Sequence, residues 1–193
     1  MKFLGLVSVL LTFTFALGAP HKRQVETPEY VLQLINTIRQ AHGVKALPWN
    51  RELERAALAH VLTCVKPTPS PSNTTSLVYY GARSWKSAIT TFYTIGLAQY
   101  DFNNPKSSDA NFMFLMASKY KSVGCSDTNC NGTNVYQCLF DFEGEPYHTI
   151  NEFVDDVKAN VRPANSTLTF DSVTPKSTFT NFAPQSFSAY ISS

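Results

Sequence analysis

Apolar residues recur at helical spacing early in the chain, where Val31, Leu34, Ile35 and Ile38 fall on one stripe. That spacing predicts an amphipathic helix of about four turns. Thr27-Pro28 supplies the opening chemistry, a capping hydroxyl followed by proline at the first helical position, and Gly43 ends the run. The link from Val44 to Trp49 leads to Asn50 as the next cap. Beyond it Leu53, Ala57, Val61 and Cys64 repeat at the same spacing, so Cys64 is expected to close a second helix on its buried side. Lys66 to Ser76 holds three prolines among Ser and Thr and reads as an exposed loop. Ser84 then caps a third helix through about Tyr100, with Ala88, Ile89, Phe92 and Ile95 inward. Ser108 caps a fourth, in which Phe112, Leu115, Met116 and Lys119 share a face.

The pattern changes at Val123-Gly-Cys125 and Val135-Tyr-Gln-Cys138-Leu-Phe140, which read as two strands joined by a turn around Asn131-Gly132. After Phe142 the signal weakens. Ile150, Phe153, Val154 and Val157 suit a short amphipathic helix, and from Pro163 onward Ser, Thr, Pro and isolated Phe dominate. That tail is expected to be poorly ordered or draped on the surface.

The apolar run from Phe3 to Leu17 has a different meaning. Lys2 precedes it and the small residues Ala16-Leu-Gly18 follow, the layout of a secretory signal peptide over residues 1–18. A membrane anchor is the rival reading, but the run is shorter than the roughly 20 residues a spanning helix needs. Lys22-Arg23 then forms a plausible dibasic trimming site at the end of a short prosegment, 19–23. Cleavage there leaves 13 basic residues against 14 acidic ones, so the formal charge moves from +2 to about −1. Without a Lys/Arg cluster to neutralise a row of phosphates, nucleic-acid binding has no electrostatic basis. Export also gives meaning to three glycan acceptor sequons, at Asn73, Asn131 and Asn165.

In an oxidising compartment the four cysteines, Cys64, Cys125, Cys130 and Cys138, are expected to form two disulfides, and sequence alone permits three pairings. Their spacing, together with the order of elements, resembles the CAP superfamily: cysteine-rich secretory proteins, antigen 5 and pathogenesis-related proteins of group 1. The resemblance covers roughly Tyr30 to Tyr147. It is carried by Asn36-x-x-Arg39, His42-Gly-Val, Leu47-x-Trp49, the alanine-rich helix ending in Cys64, Tyr80-Gly81, and Cys125-x4-Cys130 with a third cysteine before an aromatic strand end. It implies an α+β fold, a three-layer α-β-α sandwich with an antiparallel sheet. It also implies the pairings Cys125–Cys138 and Cys64–Cys130, and a CAP domain over 28–148 followed by a partly disordered C-terminal extension, 149–193.

Typical members of that family carry two histidines and two glutamates in a central cavity, a donor set that suits zinc. No histidine lies between Cys64 and Gly81, where the first belongs. Alignment puts Ala82 and Ile95 at the glutamate positions and Asn111, fourteen residues before Cys125, at the second histidine. The expectation is a degenerate cavity with no metal and no cofactor.

Other chemistry is sparse. His21, His42, His60 and His148 read as structural or solvated residues. Glu143, Glu145, Asp155 and Asp156 offer His148 carboxylate partners for acid–base work, but read more simply as a solvated acidic segment. Neither a nucleophile elbow nor a spare cysteine is visible. The expectation is therefore a secreted, non-enzymatic protein whose partner is an extracellular protein or a small lipid. For a sterol or fatty-acid carrier, the apolar segment Phe112, Phe114, Leu115 and Met116 is the candidate lining, against ordinary core packing. A metal-dependent hydrolase using Asn111 or His148 is the remaining alternative.

Overall fold

The computed structural model describes residues 26–65, 73–106, 110–164, 168, 170 and 188–190. The signal segment, the dibasic pair, His21, Ser108 and Asn165 lie outside the described residues.

Each helix with a described cap starts where a side chain takes up its first free N–H groups. Helix α1 (Pro28–Ala41) begins where the Thr27 hydroxyl accepts from the Tyr30 N–H, and α2 (Arg51–Leu62) where Asn50 Oδ1 accepts from Glu52 and Leu53. Helix α3 (Trp85–Gln99) is capped by Ser84 and carries a second acceptor. The Glu26 carboxylate takes the N–H groups of Trp85 at 2.5 Å and Lys86 at 3.3 Å, so the segment leading into α1 is fastened to the positive end of α3. Helices α4 (Ala110–Met116) and α5 (Ile150–Asn160) complete the helical set, α5 being capped by the Thr149 hydroxyl.

Four antiparallel strands, β1 (Thr74–Tyr80), β2 (Tyr120–Cys130), β3 (Thr133–Phe142) and β4 (Ser188–Tyr190), form one sheet in the order β2-β3-β1-β4. Asn131 (φ 51°) and Gly132 (φ 86°) are both left-handed, the conformation of a two-residue hairpin turn that matches strand twist. One sheet face is covered by α2: Leu53 and Ala57 pack on Leu139, and Val61 on Val78 and Val135. The other face presents Leu77, Tyr79, Val123, Tyr136, Cys138 and Phe140 to the main core, which α1, α3, α4 and α5 complete. The result is the expected three-layer α-β-α sandwich.

Several local expectations change. Helix α2 stops at Leu62, and Cys64 lies beyond its end, exposed and at φ 54°. The apolar period runs on to residue 64, but the chain must leave the helix to carry this sulfur to Cys130. The loop expected through Ser76 gives way to β1 at Thr74, with Thr75 and Ser76 buried. Pairing with β3 from Thr74↔Asp141 to Tyr80↔Val135 overrides the loop-like composition of its first residues. Ile95 is only half-buried, and Gly96 takes the inward place. Lys119 falls outside α4, where its ammonium lies 4.8 Å from the centre of the Tyr147 ring.

The segment after His148 also contributes to the packed body. Phe153 and Val157 of α5 are fully buried, Phe170 packs on Tyr93 with ring centres 5.7 Å apart, and β4 pairs with β1. The described parts of the tail are thus built into the core and sheet rather than draped over them. Apolar residues isolated in the sequence found partners supplied by distant elements.

Two glycines set the layer spacing. A Cβ at Gly124 would stand 2.3 Å from the Glu54 nitrogen and 2.5 Å from the Asn50 oxygen, and one at Gly96 would stand 2.4 Å from the Phe112 nitrogen. Helix α2 therefore starts directly on strand β2, and α3 crosses α4 backbone to backbone. We expect Gly124→Ala to cost about 1–3 kcal/mol through overpacking. Thermal denaturation should show it as a melting temperature lower by several degrees; an unchanged melting temperature would contradict this contact.

Candidate functional site

Both disulfides form as the family pairing implied. Cys125 and Cys138 are direct partners in the β2–β3 register with Cα atoms 4.0 Å apart, and Cys64–Cys130 ties the exit of α2 to the end of β2. The second bridge spans 66 residues, worth on the order of 4 kcal/mol in the chain-entropy model. None of the four thiols is free.

The aligned cavity positions are placed very differently. Ala82 is buried in the turn before α3, where its carbonyl accepts from Asn134 Nδ2 at 2.9 Å. Ile95 lies ten residues into α3, roughly 15 Å of helix rise from the start of that helix. Asn111 is the second residue of α4. The methyl of Ala82 and the branched alkyl chain of Ile95 have no lone pair to offer a divalent ion. Next to Ile95, the α3–α4 crossing at Gly96 and Phe112 leaves no room for an added methyl group. Among the described residues, no group of three or more His, Cys, Asp or Glu side chains could hold a metal ion.

What fills the interior is a polar pair on the buried face of α1. Arg39 is completely buried; its Nε donates to the Lys45 carbonyl at 2.9 Å, and its Nη1 to the carbonyls of Leu115 at 2.7 Å and Ala117 at 3.1 Å. The last two belong to the end of α4, where carbonyls lack helical partners and the dipole favours a cation. Burial pushes the Arg39 pKa down to about 10, so the group stays charged at neutral pH. Its guanidinium carbon is 5.9 Å from the Tyr120 ring centre. Nearby, Asn36 pairs both ways with Leu47, donating to its carbonyl at 2.9 Å and accepting from its N–H at 2.8 Å.

His42 is equally buried. Its Nδ1 lies 2.6 Å from the Arg162 carbonyl and its Nε2 3.1 Å from the Tyr93 hydroxyl. A carbonyl cannot donate, so Nδ1 carries the proton, and Nε2 accepts from Tyr93. Phe102 and Phe112 close the cage, with ring centres 5.9 and 5.0 Å from the imidazole. Burial lowers the His42 pKa from its ordinary 6.5, against a smaller opposing effect of the Arg162 carbonyl. This pair was legible in principle: Ile35, Arg39 and His42 follow at i, i+4 and i+7, which sets two polar residues on an apolar stripe.

The remaining candidates stay apart. His148 pairs with Glu145 at 3.2 Å on the surface. Glu143 and Asp155 are exposed, and His60 sits on α2 away from them. Asp156, expected in a solvated acidic segment, is instead a half-buried structural acceptor for the Ser118 hydroxyl, the Ser118 N–H at 2.8 Å and the Tyr147 hydroxyl at 2.6 Å, because the turn before β2 and Tyr147 both close over it. Burial, then the bond to Asp156, raises the Tyr147 pKa. Phe112, Phe114, Leu115 and Met116 are all core residues, at most 2% exposed. A groove of about 40 Å³ beside Phe114 and Tyr147 is well below the roughly 300–1,000 Å³ of a ligand pocket. No described helix is long and apolar enough to cross a membrane. Asn73 and Asn131 are both exposed.

Comparison with known proteins agrees with this architecture. The model of the CAP, or cysteine-rich secretory protein, family matches residues 32–142. Among solved structures, venom allergen-like protein 4 of Schistosoma mansoni (SmVAL4) is 11% identical, with a TM-score of 0.52 over 65% of this chain and 97% of its own. NaASP2, solved with Zn2+, is 15% identical, with a TM-score of 0.53 over 67% of this chain and 92% of its own. At such identities these structures speak for the fold alone. No curated protein sequence matches the chain.

Replacing Arg39 strips donors from the buried Leu115 and Ala117 carbonyls, each worth about 1–3 kcal/mol when left unsatisfied, and from the partly buried Lys45 carbonyl. Arg39→Met is expected to lose about 3 kcal/mol or more in urea denaturation, and Arg39→Lys to recover only part of it, since one ammonium cannot reproduce the fork. For His42 the lowered pKa means that below 6.5 the unfolded chain binds a proton that the folded chain does not. Its stabilising effect is therefore full above that pH and declines as pH falls toward the folded value. Melting curves between pH 7.5 and 5 should fall less steeply for His42→Asn, which retains a donor for the Arg162 carbonyl; parallel curves would count against the buried neutral imidazole.

Proposed function

This chain belongs to the cysteine-rich secretory protein family, and from that membership we propose that it is an exported, non-enzymatic scaffold acting outside the cell through contacts with another protein. Members of the family are typically secreted and are generally not classical enzymes. The observation that carries the proposal is the interior: where the family cavity would hold donors, this chain has Ala82 and Ile95, and α3 meets α4 through the backbone at Gly96 and Phe112. The methyl of Ala82 and the alkyl chain of Ile95 do not fit a divalent ion.

Two further features support a protein partner over a lipid cargo. The segment offered as a lipid lining is core, and the groove beside it is too small for a sterol or an acyl chain. Meanwhile both disulfides stay in place around a filled interior. That combination favours a rigid body whose variable part is its surface, where extracellular recognition takes place.

The full chain expressed in a secreting eukaryotic host tests this reading. Protein recovered from the medium should begin at Gln24, hold zinc only at substoichiometric levels, and release no sterol or fatty acid into an organic extract analysed by mass spectrometry. A stoichiometric lipid would replace the scaffold by a carrier. Stoichiometric zinc, lost on changing Asn111 or His148, would replace it by a metal-dependent enzyme.

A further inference from the structure

Asn73 stands immediately before β1, exposed and at φ 69°, a left-handed conformation that Asn tolerates better than most residues. It opens the sequon Asn73-Thr-Thr75 and also lines the small groove described above, whose apolar walls include Phe114, Phe142, Pro146 and Tyr147. Its place at the mouth of an aromatic groove sets it apart from Asn131, the other described sequon asparagine, which projects from the tip of the β2–β3 hairpin.

We propose that Asn73 carries an N-linked glycan whose first N-acetylglucosamine lies over the groove and seats its acetamido arm in it. The inference rests on export as argued above. A pyranose has an apolar face of slightly positive C–H groups, which suits the negative faces of aromatic rings. The groove's 40 Å³ admits a group of a few heavy atoms, such as the acetamido arm, and not a free ligand of drug size. The covalent link holds the sugar at high effective concentration over this surface, so a weak contact suffices to seat it. Thr75, the hydroxyl residue of the sequon, is buried in the folded chain, which requires the sugar to be attached before β1 pairs with β3. The glycan is then in place as the groove forms around it. Phe142, packed against Tyr120 and Tyr147 with ring centres 5.2 and 5.6 Å away, is half-buried and supplies the accessible ring.

The test uses the full chain secreted from yeast, with glycopeptide mass spectrometry of the three sequons and melting temperatures after trimming each glycan to its first sugar. Asn73 should be occupied, and trimming should leave the melting temperature unchanged. Asn73→Asp, which removes the acceptor but keeps left-handed tolerance, should lower it by roughly 2–4 °C, the shift expected for a modest contact in a chain of this size. Asn131→Asp should not lower it. In a Phe142→Leu background the effect of Asn73→Asp should disappear. A chain modified at Asn131 but bare at Asn73 overturns this inference alone, as do Asn73→Asp and Phe142→Leu effects that simply add. A chain carrying no glycan at any sequon overturns the export reading along with it.

Discussion

A guanidinium sealed inside the core organises this molecule. Taking Arg39 out of water is costly, and the cost is offset only because three carbonyls converge on it from the link after α1 and from the end of α4. The buried Leu115 and Ala117 carbonyls in turn take donors from Arg39. The mutual dependence fixes α4 against α1, and the rest follows. With α4 in place, Phe112 meets Gly96 of α3, and the chain leaving α4 delivers Ser118 to Asp156 on α5. One interaction on the buried side of the first helix thus sets the position of three others.

A second polar contact on the same stripe closes the other end of the layer. His42 holds the Arg162 carbonyl beyond α5 and the Tyr93 hydroxyl on α3 within a cage of aromatic rings. Around these two hydrogen-bonding hubs the described interior is filled largely by aromatic rings. Arg39 serves backbone carbonyls, while His42 joins a backbone carbonyl to a side-chain hydroxyl.

Much of this was legible before any coordinates, and the rest was hidden for identifiable reasons. The stripes of α1, α2 and α3, their caps at Thr27, Asn50 and Ser84, and the Asn131-Gly132 hairpin follow from local rules of spacing and capping. Strand β1 was missed because its first residues, Thr74 to Ser76, look like loop and become strand only through pairing with β3. Phe170 and β4 were missed for the same kind of reason, since an isolated aromatic or a three-residue strand has meaning only beside a distant partner. Cys64 misled by periodicity, as its helical phase concealed an exit from the helix. Arg39 and His42 were visible as polar intruders on an apolar face, but which atoms they would serve depended on long-range contacts. The aligned cavity positions came from motifs, Gly81-Ala82 ahead of the third helix and Phe92-x-x-Ile95 within it, and Ala82 does precede α3 while Ile95 lies along it.

The fastening of Glu26 to the amino end of α3 would bear on the survival of the chain if it is exported as proposed. Extracellular fluids are rich in exopeptidases that erode a chain one residue at a time from its free amino end. Such an enzyme needs several residues of slack backbone in its cleft, and Glu26 removes that slack by binding two amide groups of another helix. The latch thereby marks where erosion should stall, two residues past the expected trimmed start at Gln24. The same stretch enters α1 at Pro28, so the latch and the helix together leave little slack there.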